Sequence, residues 1–307
     1  MRAFGSIPIV PAILVVPAIL VAACGAGGGT PGWDAIDTAG DVPADTPADA
    51  PADAPADAPY DLPESPDYVD DTDCVQDVDI VFVIDVSTSM SWVLGTLRDE
   101  IAAVWAYAET ISADPDYDPQ FGLVVFVDDV LVTNGGAPYA SAADLQAEFE
   151  DWRAFCSTEA QPGGSGCSNM DCPENTLDGL AAAAEGFAWR DGALHVAIFA
   201  TDDTFKEYPS SLCSPFSPSI PVQHTYPATL ALLVENEVRV GVFARRVGTC
   251  LGANAEAGFF ATWNTYPAIP VATGSAVWEL DDVQSGAISM TEAISDFVLD
   301  EYCTEFI

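Results

Sequence analysis

Basic residues are scarce in this chain: 8 Lys and Arg stand against 48 Asp and Glu in 307 residues, a formal net charge of −40. From Cys74 onward, 7 basic side chains face 35 acidic ones, a net of −28. A surface of that sign repels phosphate backbones and anionic lipid and draws cations, so nucleic-acid binding is excluded. No C-x-x-C pair occurs, which removes the close ligand spacing of a structural zinc site. Histidine is limited to His195 and His224. No His, Lys or Cys is placed as a general acid or base, and no nucleophile–base pair can be read, so an enzyme is not expected. The apolar run that starts at Ile7 is short for a membrane span and is interrupted by Pro8, Pro11 and Pro17.

Three regions follow from composition. Residues 1–24 read as an export signal, with Arg2, the apolar run, and then Val21-Ala22-Ala23-Cys24. The tetrad is similar to a bacterial lipobox, which implies acylation of Cys24 and attachment to the cell envelope, at the outer membrane. Cleavage near Ala23 and plain secretion is the alternative. Residues 25–73 are Asp/Ala/Pro-rich, with PADA written three times between Pro47 and Ala58. Proline at that period excludes helix and ladder pairing, and aspartate keeps the segment soluble. It reads as a disordered tether reaching roughly 3 Å per residue in the polyproline limit. Residues 74–307 are long enough to bury one full core as a single domain.

Eight cysteines in a chain with an export signal point to disulfides. Cys74 and Cys303 bracket the domain and are expected to pair. Cys213 and Cys250 sit in loops after successive predicted strands and are expected to pair as well. Cys156 then pairs with Cys167 or Cys172, leaving one thiol over.

Within the domain, apolar strands alternate with amphipathic helices. Strands are predicted over 78–84, 121–127, 130–133, 194–200, 238–244 and 276–280. Helices are predicted from the Val93, Leu97, Ile101, Val104, Ala108 face, over 142–155, over 175–188 and over about 287–302. The expected fold is α/β, a doubly wound, mostly parallel six-stranded sheet with helices on both faces.

The first strand carries the chemistry. VDIVFVIDVSTSM, Val78 to Met90, runs a buried apolar strand into Asp85, Ser87 and Ser89, a carboxylate and two hydroxyls at alternate positions. Such a loop turns three oxygens to one point beyond the strand's carboxyl end, where open α/β sheets hold ligands. Hard oxygens with few fixed charges suit Mg²⁺ or a similar cation that keeps some water. Serine before a helix is also an ordinary N-cap. The fourth strand ends in Thr201-Asp202, which the parallel arrangement sets beside that loop, with Asp203 following.

This pattern resembles the von Willebrand factor A family, whose metal-ion-dependent adhesion site begins with such a loop. The closer resemblance is to the I-like domain of integrin β subunits. It rests on Asp85–Met90, Gly122 with Phe126-Val127-Asp128, and Asn169-x-Asp171-x-Pro173-Glu174 with Asp178. Trp189-Arg190, His195, Phe199 with Thr201-Asp202, and Tyr226-Pro227 follow in the same order. The resemblance implies an adhesion metal site of Asp85, Ser87, Ser89, Glu174 and Asp202, filled by Mg²⁺ or Mn²⁺. The common A-domain pattern would instead supply Thr176. A second cation, Ca²⁺, is implied at Asp128, Asn169, Asp171, the Pro173 carbonyl and Glu174. A third site is expected to be missing, because Trp92 and Val93 stand where it needs aspartates, and the specificity loop is cut to about 134–141.

The implied function is a membrane-anchored, cation-dependent protein-binding module that captures an acidic group of a partner protein. The rivals are a structural envelope lipoprotein whose cations stabilise it and a metal-assisted hydrolase. Among the remaining residues, Asp114, Asp116 and Asp118 read as a turn, His195 as a hydrogen-bonded core residue and His224 as a surface histidine. Arg245 and Arg246 are expected to pair with nearby acids.

Overall fold

Strand β1 (Val78–Asp85) is buried along its whole length. Its alternate residues serve two cores: Ile80, Phe82 and Ile84 pack into one apolar cluster, Val81 and Val83 into the other. A strand of this kind belongs at the centre of a sheet covered on both sides, and that is where it lies.

The computed structural model describes residues 76–111, 119–168, 173–213, 219–247 and 255–306. The elements after β1 are α1 (Ser91–Ile111), β2 (Gln120–Phe126), β3 (Val130–Val132), α2 (Ala142–Phe155), α3 (Thr176–Gly186) and β4 (Leu194–Thr201). Then come β5 (Ser211–Leu212), β6 (Ile220–Pro221), α4 (Tyr226–Glu235), β7 (Val238–Ala244), α5 (Ile269–Ala272), β8 (Val277–Glu279), α6 (Leu280–Ser285) and α7 (Met290–Glu301). The six-stranded sheet has the order β3-β2-β1-β4-β7-β8, with β5 and β6 forming a separate two-stranded ribbon. All pairings in the large sheet are parallel except β2 with β3. The expected architecture is therefore present.

Helix α1 buries Val93, Leu94, Leu97, Ile101, Val104 and Ala108, the stripe its spacing predicts. It joins α2 and α7 over one face, while α3 and α4 cover the other. Helix α2 starts where Ser141 accepts the Asp144 N–H, and α7 starts where Ser289 accepts the Glu292 N–H. That cap places the start of α7 three residues later than the apolar pattern predicts. Helix α4 was not anticipated. Thr225 caps it, a proline occupies its first turn, and Tyr226, Leu230 and Leu233 form its buried stripe. It supplies the crossover that two neighbouring parallel strands, β4 and β7, require.

Two features set up the rim. The chain leaves β1 for β2 on one side and returns to β4 on the other, so the sheet's winding reverses at β1. Gly179, in the first turns of α3, lets that helix lie against the last residue of β2: a Cβ there would stand 3.0 Å from Phe126 Cδ1.

The cysteines depart from expectation. Cys213 pairs with Cys167, not Cys250, across a Cα separation of 6.3 Å. Cys167 stands beside Asp128, just past β2, and Cys213 directly follows β5. Cys156 is unpaired and buried, which overturns its expected bridge. It ends α2 inside the apolar cluster, where burial pushes its thiol up to about 12. Cys303 is disulfide-bonded. Its expected partner Cys74, like Cys24, Cys172 and Cys250, lies outside the described residues, as do Asp114, Asp116 and Asp118.

Candidate metal site at the carboxyl rim

Asp85 closes β1 with no exposure to solvent. Its Oδ1 accepts the Ser87 backbone N–H at 2.7 Å, and its Oδ2 accepts the Thr201 hydroxyl at 2.8 Å. The first contact folds Val86–Ser87 into a tight turn. The second ties β1 to the end of β4. Ser87 Oγ and Ser89 Oγ stand 3.2 Å apart, and the Ser89 hydroxyl donates to Asp202 Oδ1 at 2.9 Å. Ser87 is buried while Ser89 is exposed, so the cluster has a floor and an open side.

The third segment arrives by backbone bonding. The Glu174 N–H donates to Thr204 O, just past β4, and the Asn175 N–H donates to Val127 O, just past β2. These anchors flank β1, so Glu174–Asn175 crosses in front of its carboxyl end. The Val86 N–H takes the neighbouring β2 carbonyl, Phe126 O. The Asp85–Ser89 loop and the Glu174–Thr176 segment therefore hang from consecutive carbonyls, one at the end of β2 and one just past it. Glu174 is buried, and so is Thr176, the first residue of α3. The Thr176 hydroxyl has no hydrogen-bond partner, and neither does Asn175 Oδ1, whose amide donates to Asp128 O at 2.9 Å. A buried oxygen left in that state costs on the order of 1–3 kcal/mol unless something else satisfies it.

Charge at the rim is held up by burial. Asp85 is pushed up to about 7, first by desolvation and then by the negative charge of Asp202. Asp203, which accepts the Thr204 N–H, is raised to about 7 by desolvation. Asp202 is raised as well, chiefly by its burial. These carboxyls accept oxygen- and nitrogen-bound protons but gain one ionic contact from a base, Arg245 Nη1 to Asp202 Oδ2 at 3.2 Å. The donor set is all oxygen, buried at its base and rich in acid, and an orphaned hydroxyl lies on the crossing segment, although Asp85, Asp202 and Glu174 do not bring three carboxylate oxygens within 4.8 Å of one another. It fits a hard divalent cation.

The second expected site is only partly in view. Asn169 and Asp171 lie outside the described residues. Asp128 is buried, and its Oδ2 accepts the Gln161 amide at 2.5 Å, while Gln161 Oε1 receives the Asp128 and Asp129 N–H groups. Gln161 thus fastens this loop, a role nothing in the sequence signals. Asp128 also neighbours Cys167 and Cys213, but sulphurs joined in a disulfide are not thiolate ligands. Asp178, which follows Glu174 in the sequence pattern, faces the insert instead: it accepts the Gln223 and His224 N–H groups and contacts His224 Nδ1 at 2.7 Å. His224 is therefore half-buried and held. His195 places its two ring nitrogens 2.8 and 2.9 Å from the Asn236 and Arg190 carbonyls, the hydrogen-bonded core role expected of it. Arg245 and Arg246 do pair with acids, Arg246 with Glu256 and Glu279.

No protein-family model and no curated protein matches the chain. Among solved structures it is similar to proximal thread matrix protein 1 from the mussel byssus, with a zinc-occupied MIDAS motif. That likeness has a TM-score of 0.43 and 15% identity over 72% of this chain and 46% of that one. The pilus adhesin SpaC of Lactobacillus rhamnosus GG gives 0.41 and 15%, over 73% and 31%. The human COPII-coat protein Sec24c gives 0.46 and 11%, over 75% and 33%. The chain thus spans less than half the length of each. Likeness this low carries no functional argument, and the reading below rests on the rim itself.

Proposed function

We propose that this chain is a cation-dependent binding module that takes up an acidic group of a partner protein at the carboxyl rim, and that it is not an enzyme. The cation is held by Asp85, Ser87, Ser89 and Asp202, with Glu174 or Thr176 from the crossing segment, and Mg²⁺ or Mn²⁺ suits that set. The single observation that carries the reading is the crossing of Glu174–Asn175 over the end of β1, hung from the strands on either side. It brings three separate segments to one rim, and the Ser89–Asp202 contact at 2.9 Å joins two of them directly. When bound, the ion supplies a Lewis-acid contact for a carboxylate oxygen and removes the repulsion an acidic domain exerts on an acidic ligand. The protein's own groups orient the ion and leave the Ser89 side open. A Ca²⁺ site at Asp128, Asn169, Asp171, Pro173 and Glu174, a lipid anchor at Cys24 and a place at the cell envelope belong to the same reading.

Calorimetric titration of Mg²⁺, Mn²⁺ and Ca²⁺ into the wild-type chain and Ser87→Ala tests it. Saturable binding that the substitution weakens is expected. Equal binding by both proteins rejects the assignment.

A further inference from the structure

Arg245 is placed where the metal reading has no use for it. It follows β7, whose last residue pairs with Thr201 at the end of β4, and its N–H donates to Thr201 O at 3.3 Å. The guanidinium, only 14% exposed, reaches over the rim and is held from three sides. Nε donates to Asp281 Oδ1 at 2.8 Å, Nη2 to Gln284 Oε1 at 3.2 Å, and Nη1 to Asp202 Oδ2 at 3.2 Å. Asp281 and Gln284 belong to α6, so a neighbouring helix fixes the cation over Asp202. Asp202 then has both oxygens engaged, Oδ1 by the Ser89 hydroxyl and Oδ2 by Arg245.

We infer that Arg245 is a resident counter-charge that sets what the loaded rim will bind: it weakens the hold on the cation and strengthens the uptake of an anion. This rests on the proposed function. The guanidinium lies against Asp202, on the edge of the cation's cradle, so its positive charge opposes a bound cation and favours an anion that arrives beside it. Removing it leaves the rim one charge more negative, which tightens the cation and turns the carboxylate away. The two effects have opposite signs. A residue that merely supports the fold would move both the same way.

The test uses Mn²⁺ and acetate. Calorimetry gives the Mn²⁺ affinity, and the relaxation of acetate methyl protons by bound Mn²⁺ reports carboxylate at the ion. Arg245→Met is expected to bind Mn²⁺ tighter by about ten-fold and to lose most of the acetate effect. Arg245→Lys retains the charge and stays near wild type. Gln284→Leu removes an uncharged hold on the guanidinium, leaves every charge in place and shifts both quantities part-way in the same directions, which keeps the question open to measurement if Arg245→Met does not fold. Unchanged Mn²⁺ affinity in Arg245→Met and Gln284→Leu, or tighter Mn²⁺ with tighter acetate, overturns the inference alone. A wild-type chain that binds no Mn²⁺ overturns it together with the proposed function.

Discussion

The two ends of the sheet bury acids in different company. At the amino end, Asp79 has no exposure, yet Arg190 grips it: the Arg190 backbone N–H donates at 2.7 Å, and Nε at 2.8 Å. Arg239, also at that end and 2% exposed, meets Glu301 at 2.6 Å and the Thr304 carbonyl. At the carboxyl end, Asp85, Asp202 and Asp203 are buried together, and Arg245 is the base that reaches them. A buried charge with a fixed partner is part of the scaffold. A group of buried acids with too few bases is a place built for a charge from outside.

That contrast can be broken most forcefully at the amino end. Arg190→Met leaves Asp79 buried without its guanidinium and is expected to cost about 3–5 kcal/mol in chemical denaturation, with no recovery on adding Mg²⁺. Recovery by Mg²⁺ would mean the two ends are not distinct. At the carboxyl end, chelation of the cation-loaded wild type is expected to lower stability by about 2–3 kcal/mol relative to saturating Mg²⁺, and to leave Ser87→Ala unmoved. A chelator effect of equal size in both proteins would assign the stabilising ion elsewhere.

A smaller effect follows from protonation. Asp85 and Asp203 hold protons in the fold up to about pH 7, while in the unfolded chain they release them near the ordinary aspartate value of 3.8. Their contribution is fully present below that lower value and is lost as pH rises through 7. The metal-free chain should therefore weaken between about pH 4 and pH 7, and Asp85→Asn should flatten that decline. Thermal melts across the range decide it; a metal-free chain that gains stability over this window would contradict the burial-driven shift. Smallest of all is Glu150, on the surface, held down to about 2 by Arg153 and Arg98. Its contribution is present above the ordinary carboxylate range and lost as pH falls through 2. Glu150→Gln should leave the neutral-pH melting temperature almost unchanged, because solvent screens such pairs.

Much of the architecture could be read from residue order. Continuous apolar runs bounded by turns marked β1, β2, β4 and β7, and the Val93–Ala108 spacing marked α1. Helix α4 was hidden because its proline and the polar residues before it look like loop, although Thr225 and a first-turn proline are a helix start. At the rim, Asp85, Ser87, Ser89 and Asp202 could be named because each follows a recognisable strand. Gln161 and the Cys167–Cys213 bridge could not, since both depend on loops whose paths no local pattern dictates. Thr201 lay in plain sight beside Asp202, yet its bond to Asp85 becomes visible only once β4 is laid against β1.

The anchoring of Glu174 and Asn175 has a mechanical meaning. A tug on anything gripping this rim passes through Thr204 and Val127 into the strands on both sides of β1, and through Val86 into β2 once more. The load is spread over three parallel strands whose cross-links must yield in shear, many at a time. A load applied at this rim would break its grip before the sheet came apart.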